Sequence, residues 1–312
     1  MFVLMKFEEF KEKVFAEIKN YMPKEYSNCI LKEEEIYHVN EKITAITISI
    51  TEKLAASISL NAAYDTYIMA QSFDEAVRNI VKKYVEACIY QTQVDARILS
   101  AENLKWENIK EKLVIQVINT LNNQDMLKNV PHREFLDLSI VYRYLITGEK
   151  HQVQSILLSN KMAEYLNVSE EELYESAKEQ TKKLMPVTIE TAEDIVTQLL
   201  QLEDEEEELF FKSCSGELKP MYIISNEFKK WGSNSIINEE LLETTANAFN
   251  DNFYIIPSSI HEIMVLPKSS SDVDTISQTI RETNDTFLSK DLLLSYSLYY
   301  YDRHTKRVSI VK

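Results

Sequence analysis

Two short clusters hold the residue types from which catalysis could be built. Ser258, Ser259, His261 and Glu262 fall within one five-residue stretch, and His132, Arg133 and Glu134 are consecutive. A serine hydroxyl needs a neighbouring base to become nucleophilic at neutral pH. Ser258 or Ser259 as nucleophile, His261 as base and Glu262 or Glu134 as orienter would therefore make a hydrolase constellation. Geometry rather than order in the chain defines such a triad. Successive side chains on an extended segment face opposite ways, which separates His261 from Glu262 unless the chain bends sharply. A second reading assigns the same groups to the fold. The serines would cap turn N–H groups, Glu262 would accept further bonds and His261 would donate to a buried carbonyl or carboxylate. This structural role is the expectation for Pro257 to Glu262, and Pro131 to Glu134 reads as a turn stapled by an Arg133–carboxylate interaction.

Other catalytic templates fail on residue count or spacing. The chain has three glycines, Gly148, Gly216 and Gly232, too few for a GxGxxG or P-loop phosphate cradle. His261-Glu262 resembles the start of HExxH, but Val265 stands where the second zinc-binding histidine belongs. A GxSxG elbow is absent. Cys29, Cys88 and Cys214 are odd in number and lack CxxC spacing, which argues against a disulfide framework and against a cysteine zinc site. No metal and no cofactor is expected.

Charge points to partners. With 34 basic and 50 acidic residues the formal net charge is −16, and Glu203, Asp204, Glu205, Glu206, Glu207 and Glu208 form an unbroken acidic run. Phosphate affinity rests on clustered Lys and Arg, so direct nucleic-acid binding is not expected. Tyr299, Tyr300 and Tyr301 do not make a base-stacking platform, because alternate residues of a strand face opposite sides. An acidic surface suits a basic partner, and the run at 203–208 is the candidate for that contact. No apolar stretch approaches the roughly 18 residues of a membrane span. The expected location is the cytoplasm, with no membrane association.

The elements that must position these residues emerge from periodicity. Phe7, Phe10, Val14 and Ile18 recur at helical spacing within Lys6 to Lys19. Short β-rich runs come next, at 29–31, 36–39, 43–50 and 57–60. Capping boxes at Ser72/Glu75 and Ser169/Glu172 open two helices, the first running to about Tyr90. A short helix and then a strand are expected within 106–121, with further strands at 136–146, 155–159 and 220–225. Asn238 caps a helix ending near Phe249, a strand pair flanks Pro257–Glu262, a helix spans 272–287, and a hairpin at 296–301 and 307–311 closes the chain. The order of helices and strand pairs predicts an α+β fold with mixed or antiparallel sheets and packed helices. Two associated regions are expected, 1–126 and 127–312, the second carrying an acidic insertion near 190–219.

The segments VPHREFLDL at Val130 to Leu138, SEEELYESA at Ser169 to Ala177 and IIPSSIHEIMVLP at Ile255 to Pro267 resemble a bacterial family of uncharacterised proteins, a domain of unknown function. FEEFK at Phe7 to Lys11 and YDRHTKRVSIV at Tyr301 to Val311 extend the resemblance over nearly the whole chain. It implies no activity, cofactor or catalytic residue. The functional expectation is a non-enzymatic cytosolic interaction protein, such as a regulator or inhibitor of a macromolecule, of the kind mobile elements carry, with a protein as its partner. The alternative is a hydrolase or small-ligand protein using His132, Arg133, Glu134 and His261 in one cleft.

Overall fold

The computed structural model describes residues 4–51, 54–98, 105–149, 152–191, 194, 221–270 and 272–311. The acidic run at 203–208 and Cys214 lie outside the described residues. The protein is α+β, and the strands of its three sheets are paired antiparallel. It divides into two compact units, Met1–Leu104 and Lys105–Lys312, whereas the sequence pattern predicts a division at 126/127. The physical reason lies in the strand Leu113–Asn119, which pairs along its whole length with Leu138–Glu149 and so belongs to the second unit.

In the first unit, α1 (Phe7–Glu17) presents Phe10 and Val14 to the core, fully buried as their helical spacing requires. Three strands, β1 (Ile30–His38), β2 (Glu41–Thr51) and β3 (Leu54–Ser59), form a meander. Lys32 to Glu35, which interrupt the apolar pattern, lie inside β1, so two expected strands are one. The helix α2 (Leu60–Ala70) begins where a strand was expected to end, because Ser59 caps it by accepting from the Ala62 N–H at 3.1 Å. Ser72 likewise accepts from the Glu75 N–H at 3.2 Å at the start of α3 (Phe73–Ile98).

The second unit holds two sheets. After α4 (Trp106–Ile109) comes β4 (Leu113–Asn119), buried at every position, then α5 (Gln124–Leu127), β5 (His132–Phe135), β6 (Leu138–Glu149) and β7 (Gln152–Leu157). The long β6 pairs with β4 along one edge, and with β5 and then β7 along the other. His132 to Glu134 therefore sit on a strand, not in the expected turn. The turn comes later, at Leu136-Asp137, where Leu136 takes a φ of 57°. A leucine in left-handed backbone carries no turn signal in sequence, which is why 136–146 reads as one strand.

Beyond α6 (Asn160–Leu166), the helix α7 (Glu170–Leu184) opens on the complete Ser169/Glu172 capping box. The second sheet runs β13-β12-β10-β11-β9-β8, with β8 (Val187–Thr191), β9 (Tyr222–Asn226), β10 (Phe253–Ser259), β11 (Glu262–Pro267), β12 (Tyr299–Asp302) and β13 (Arg307–Ile310). A 3₁₀ turn at Gly232–Ile237 leads into α8 (Glu239–Phe249), capped by Asn238 as expected, and α9 (Val273–Thr286) comes after β11. The register of β10 shifts between Ile256 and Ser259, where Pro257 has no N–H to give to the ladder. The hairpin loop is thus only Ile260-His261. No helix among the described residues is long and apolar enough to cross a membrane.

Candidate functional site

The Ile260-His261 loop is held almost entirely through backbone groups. The Ile260 carbonyl accepts from the Ser233 hydroxyl at 2.8 Å, the His261 carbonyl accepts from the Ser225 hydroxyl at 2.8 Å, and the Ile260 N–H donates to the Leu292 carbonyl at 2.9 Å. Ser259, 6% exposed, accepts the His261 N–H on its hydroxyl oxygen at 3.0 Å. Ser258 donates to Glu262 at 3.3 Å. Gly232 packs so tightly behind the loop that a Cβ there would meet the His261 carbonyl oxygen at 2.4 Å and the Ser225 Cα at 2.6 Å.

The imidazole is engaged as well. His261 Nδ1 accepts the Trp231 N–H at 3.2 Å, which leaves the ring proton on Nε2. The sequence predicts a ring that donates to a buried carbonyl or carboxylate, and here it accepts from the backbone instead. Burial pushes the His261 pKa below its ordinary value, the nearby Lys230 charge adds to that, and Asp291 opposes it. Neither serine has its hydroxyl on the imidazole: Ser259 serves the backbone and Ser258 serves Glu262.

The strand cluster is organised around charge. Arg133 donates from Nε and Nη2 to the two carboxylate oxygens of Glu170, at 3.1 and 2.8 Å, and again from Nη2 to Glu171 at 2.5 Å. Its guanidinium lies 3.9 Å from the ring centre of Tyr174. Tyr142 donates its hydroxyl to the same Glu170 oxygen that takes Arg133 Nε. Burial raises the Glu170 carboxyl, but the bonds from Arg133 and Tyr142 outweigh it and hold the group below the usual carboxylate range. The Arg133–carboxylate staple expected from the sequence is present, and it joins β5 to the first turn of α7. His132 bonds through Nδ1 to the Val130 carbonyl at 3.0 Å, and Glu134 is exposed. Among the described residues, no hydrogen bond or ion pair links His132, Arg133 or Glu134 to the Ser258–Glu262 hairpin end.

Other polar groups of this unit were missed by sequence reasoning. Asp137, in the β5–β6 turn, accepts from Ser295 at 2.6 Å, Ser297 at 2.9 Å and Tyr299 at 2.6 Å. Burial and then the Asp137 charge drive the Tyr299 phenol above its ordinary pKa. Arg143 sits in the apolar run of β6, where a lone charge was the available signal. On the edge of β4, the Ile115 N–H donates to Thr181 of α7 at 2.8 Å and the Ile115 carbonyl accepts from Asn234 at 3.2 Å. These bonds satisfy an otherwise unpaired strand edge. A cavity of about 220 Å³ opens beside them, lined by Ile115, Thr181, Met185, Asn234 and Ile237. Lys178 and Lys182 also line it and reach Glu239 and Glu240 of α8 at 4.0 and 3.2 Å. None of His132, Arg133, Glu134, Ser258, Ser259, His261 or Glu262 lines that cavity. Among the described residues, no group of His, Cys, Asp and Glu is placed to hold a metal ion.

No curated protein and no solved structure matches the chain. A family model described as a family of unknown function (DUF5688) matches residues 7–303, and the chain therefore belongs to that family.

Proposed function

We propose that this is a non-enzymatic interaction protein of the cytoplasm that regulates or inhibits a macromolecular partner, with a basic protein as that partner. The observation that carries the reading is the use made of His261: its Nδ1 takes the Trp231 N–H, and the adjacent Ser259 oxygen takes the His261 N–H. A base and nucleophile poised for hydrolysis would instead bond to one another. The strong acidic balance, −16 over the chain, favours complementary steering toward positive charge. The run Glu203 to Glu208 remains the candidate contact.

The test is affinity capture of the tagged protein from its host with identification by mass spectrometry, then binding of the recovered partner at two salt concentrations. Charge reversal across Glu205 to Glu208 is expected to weaken binding and flatten its salt dependence while leaving the melting temperature unchanged, because interface charges act mainly on encounter. Salt-insensitive binding that ignores the reversal would remove the electrostatic part. Substrate turnover by the folded protein that disappears with His261→Ala would overturn the non-enzymatic reading.

A further inference from the structure

Arg143 is treated unlike the other arginine of its sheet. On β6 it stands opposite Val114 of β4 and Leu157 of β7, beside an apolar cluster that includes Val114, Leu145, Met185 and Trp231. Its Nε donates to the Ser155 hydroxyl at 2.7 Å and its Nη1 to the Gln116 side-chain carbonyl at 3.0 Å. Its guanidinium carbon lies 4.8 Å from the Trp231 ring centre. Both acceptors are neutral, and among the described residues no carboxylate pairs with Arg143. Burial lowers its pKa to about 10. A guanidinium offers five N–H donors, and a charge taken this far out of water is normally compensated by an opposite one.

The surroundings are built rather than incidental. Gln116 is 1% exposed and occupies the middle of a strand that is otherwise apolar except at its end. Trp231 adopts a φ of 54°, an uncommon backbone for a bulky side chain, and is held there by its N–H bond to His261. The tight seat of Gly232 against His261 and Ser225 fixes the next residue of the same turn. Strain, a histidine and a glycine are thus combined to place an indole against an arginine whose Nη2 has no described acceptor. As a residue Arg143 is half-buried, not fully enclosed.

We infer that Arg143 anchors a binding site for a small oxyanion, a carboxylate- or phosphate-bearing molecule whose oxygens accept from the guanidinium N–H groups that have no acceptor among the described residues. Gln116 and Ser155 orient the guanidinium, and Trp231 covers one of its faces. The planar fork suits two oxygens of one group, a geometry that a lysine in its place could not reproduce. The inference is independent of the interaction reading, which does not use Arg143.

The chain has two tryptophans, Trp106 and Trp231, so Trp106→Phe leaves Trp231 as the sole indole reporter. This protein is titrated with inorganic phosphate and, separately, with acetate, at an ionic strength held constant with sodium chloride. The expected result is a saturable change in Trp231 emission with at least one of them, and their ranking assigns the oxyanion class. Arg143→Gln should weaken that binding at least about tenfold, and Arg143→Lys should weaken it less, since the charge remains without the fork. Phosphorus NMR line broadening of phosphate, and carbon NMR broadening of labelled acetate, on the unsubstituted protein give a readout that survives if Arg143→Gln fails to fold. A response that does not saturate, an equal response in folded Arg143→Gln, or no broadening of either anion would overturn the inference.

Discussion

At the hairpin end of β10 and β11, the half-buried His261 and the buried Ser259 are bonded to backbone groups, whereas on β5 the half-buried Arg133 is bonded to two carboxylates. The two regions carry similar residue types, and each set of side chains is used where its desolvation cost can be met. Neutral donors and acceptors satisfy the interior, because a buried polar group without a partner is costly. The ion pair stays near the surface, where α7 supplies its carboxylates from the first turn and the positive end of the helix dipole favours them. The difference teaches that closeness in sequence did not assemble a shared site. β10 and β11 belong to one sheet of the unit and β5 to the other.

The strongest way to break the hairpin side of this comparison is Gly232→Ala. The added Cβ would meet backbone at 2.4 and 2.6 Å, which no rotamer change relieves. Destabilisation of more than about 3 kcal/mol is expected from such overpacking. Chemical denaturation measures it, and a loss below about 1 kcal/mol would mean that the loop is free to move away.

A matched pair of substitutions then weighs the two regions against each other. Ser259→Ala leaves the part-buried His261 N–H without its acceptor and should cost about 1–2 kcal/mol. Arg133→Met removes a partly screened ion pair whose Glu170 keeps the Tyr142 hydroxyl, so the expected loss is nearer about 1 kcal/mol. Equilibrium unfolding in low and high salt separates them, since only the Arg133 contribution should shrink with salt. A salt-dependent Ser259 effect would contradict the neutral description of the hairpin.

The smallest effects are in pH dependence, and they fall in separate windows. Folding lowers the His261 pKa, so the unfolded chain binds the proton first and stability declines as pH falls below the ordinary value of 6.5. Folding also lowers the Glu170 pKa, so its stabilising pair is intact above the ordinary 4.5 and is lost as pH falls through the folded-state value. Thermal melts from neutral to acid pH should therefore show a shallow decline that His261→Gln removes, and a later one that Arg133→Met removes. Interchange of the two windows would refute the assignment.

Much of the architecture was legible in the sequence because it rests on local physics. The helical spacing of Phe10 and Val14, the Ser169/Glu172 box, the Asn238 cap and the Phe253–Pro267 hairpin each depend on residues a few positions apart. The structural role of Ser259 and the Arg133 staple were legible for the same reason, through what such groups need when desolvated. The partners were not legible. Glu170 lies 37 positions from Arg133, and Tyr299 lies 162 from Asp137. Leu136 and Trp231 adopt left-handed backbone that their side chains disfavour, so only surrounding contacts could impose it. The setting of Arg143 shows the division most plainly: its place in an apolar strand is written in the sequence, but the two neutral acceptors and the indole against it were decided by tertiary packing.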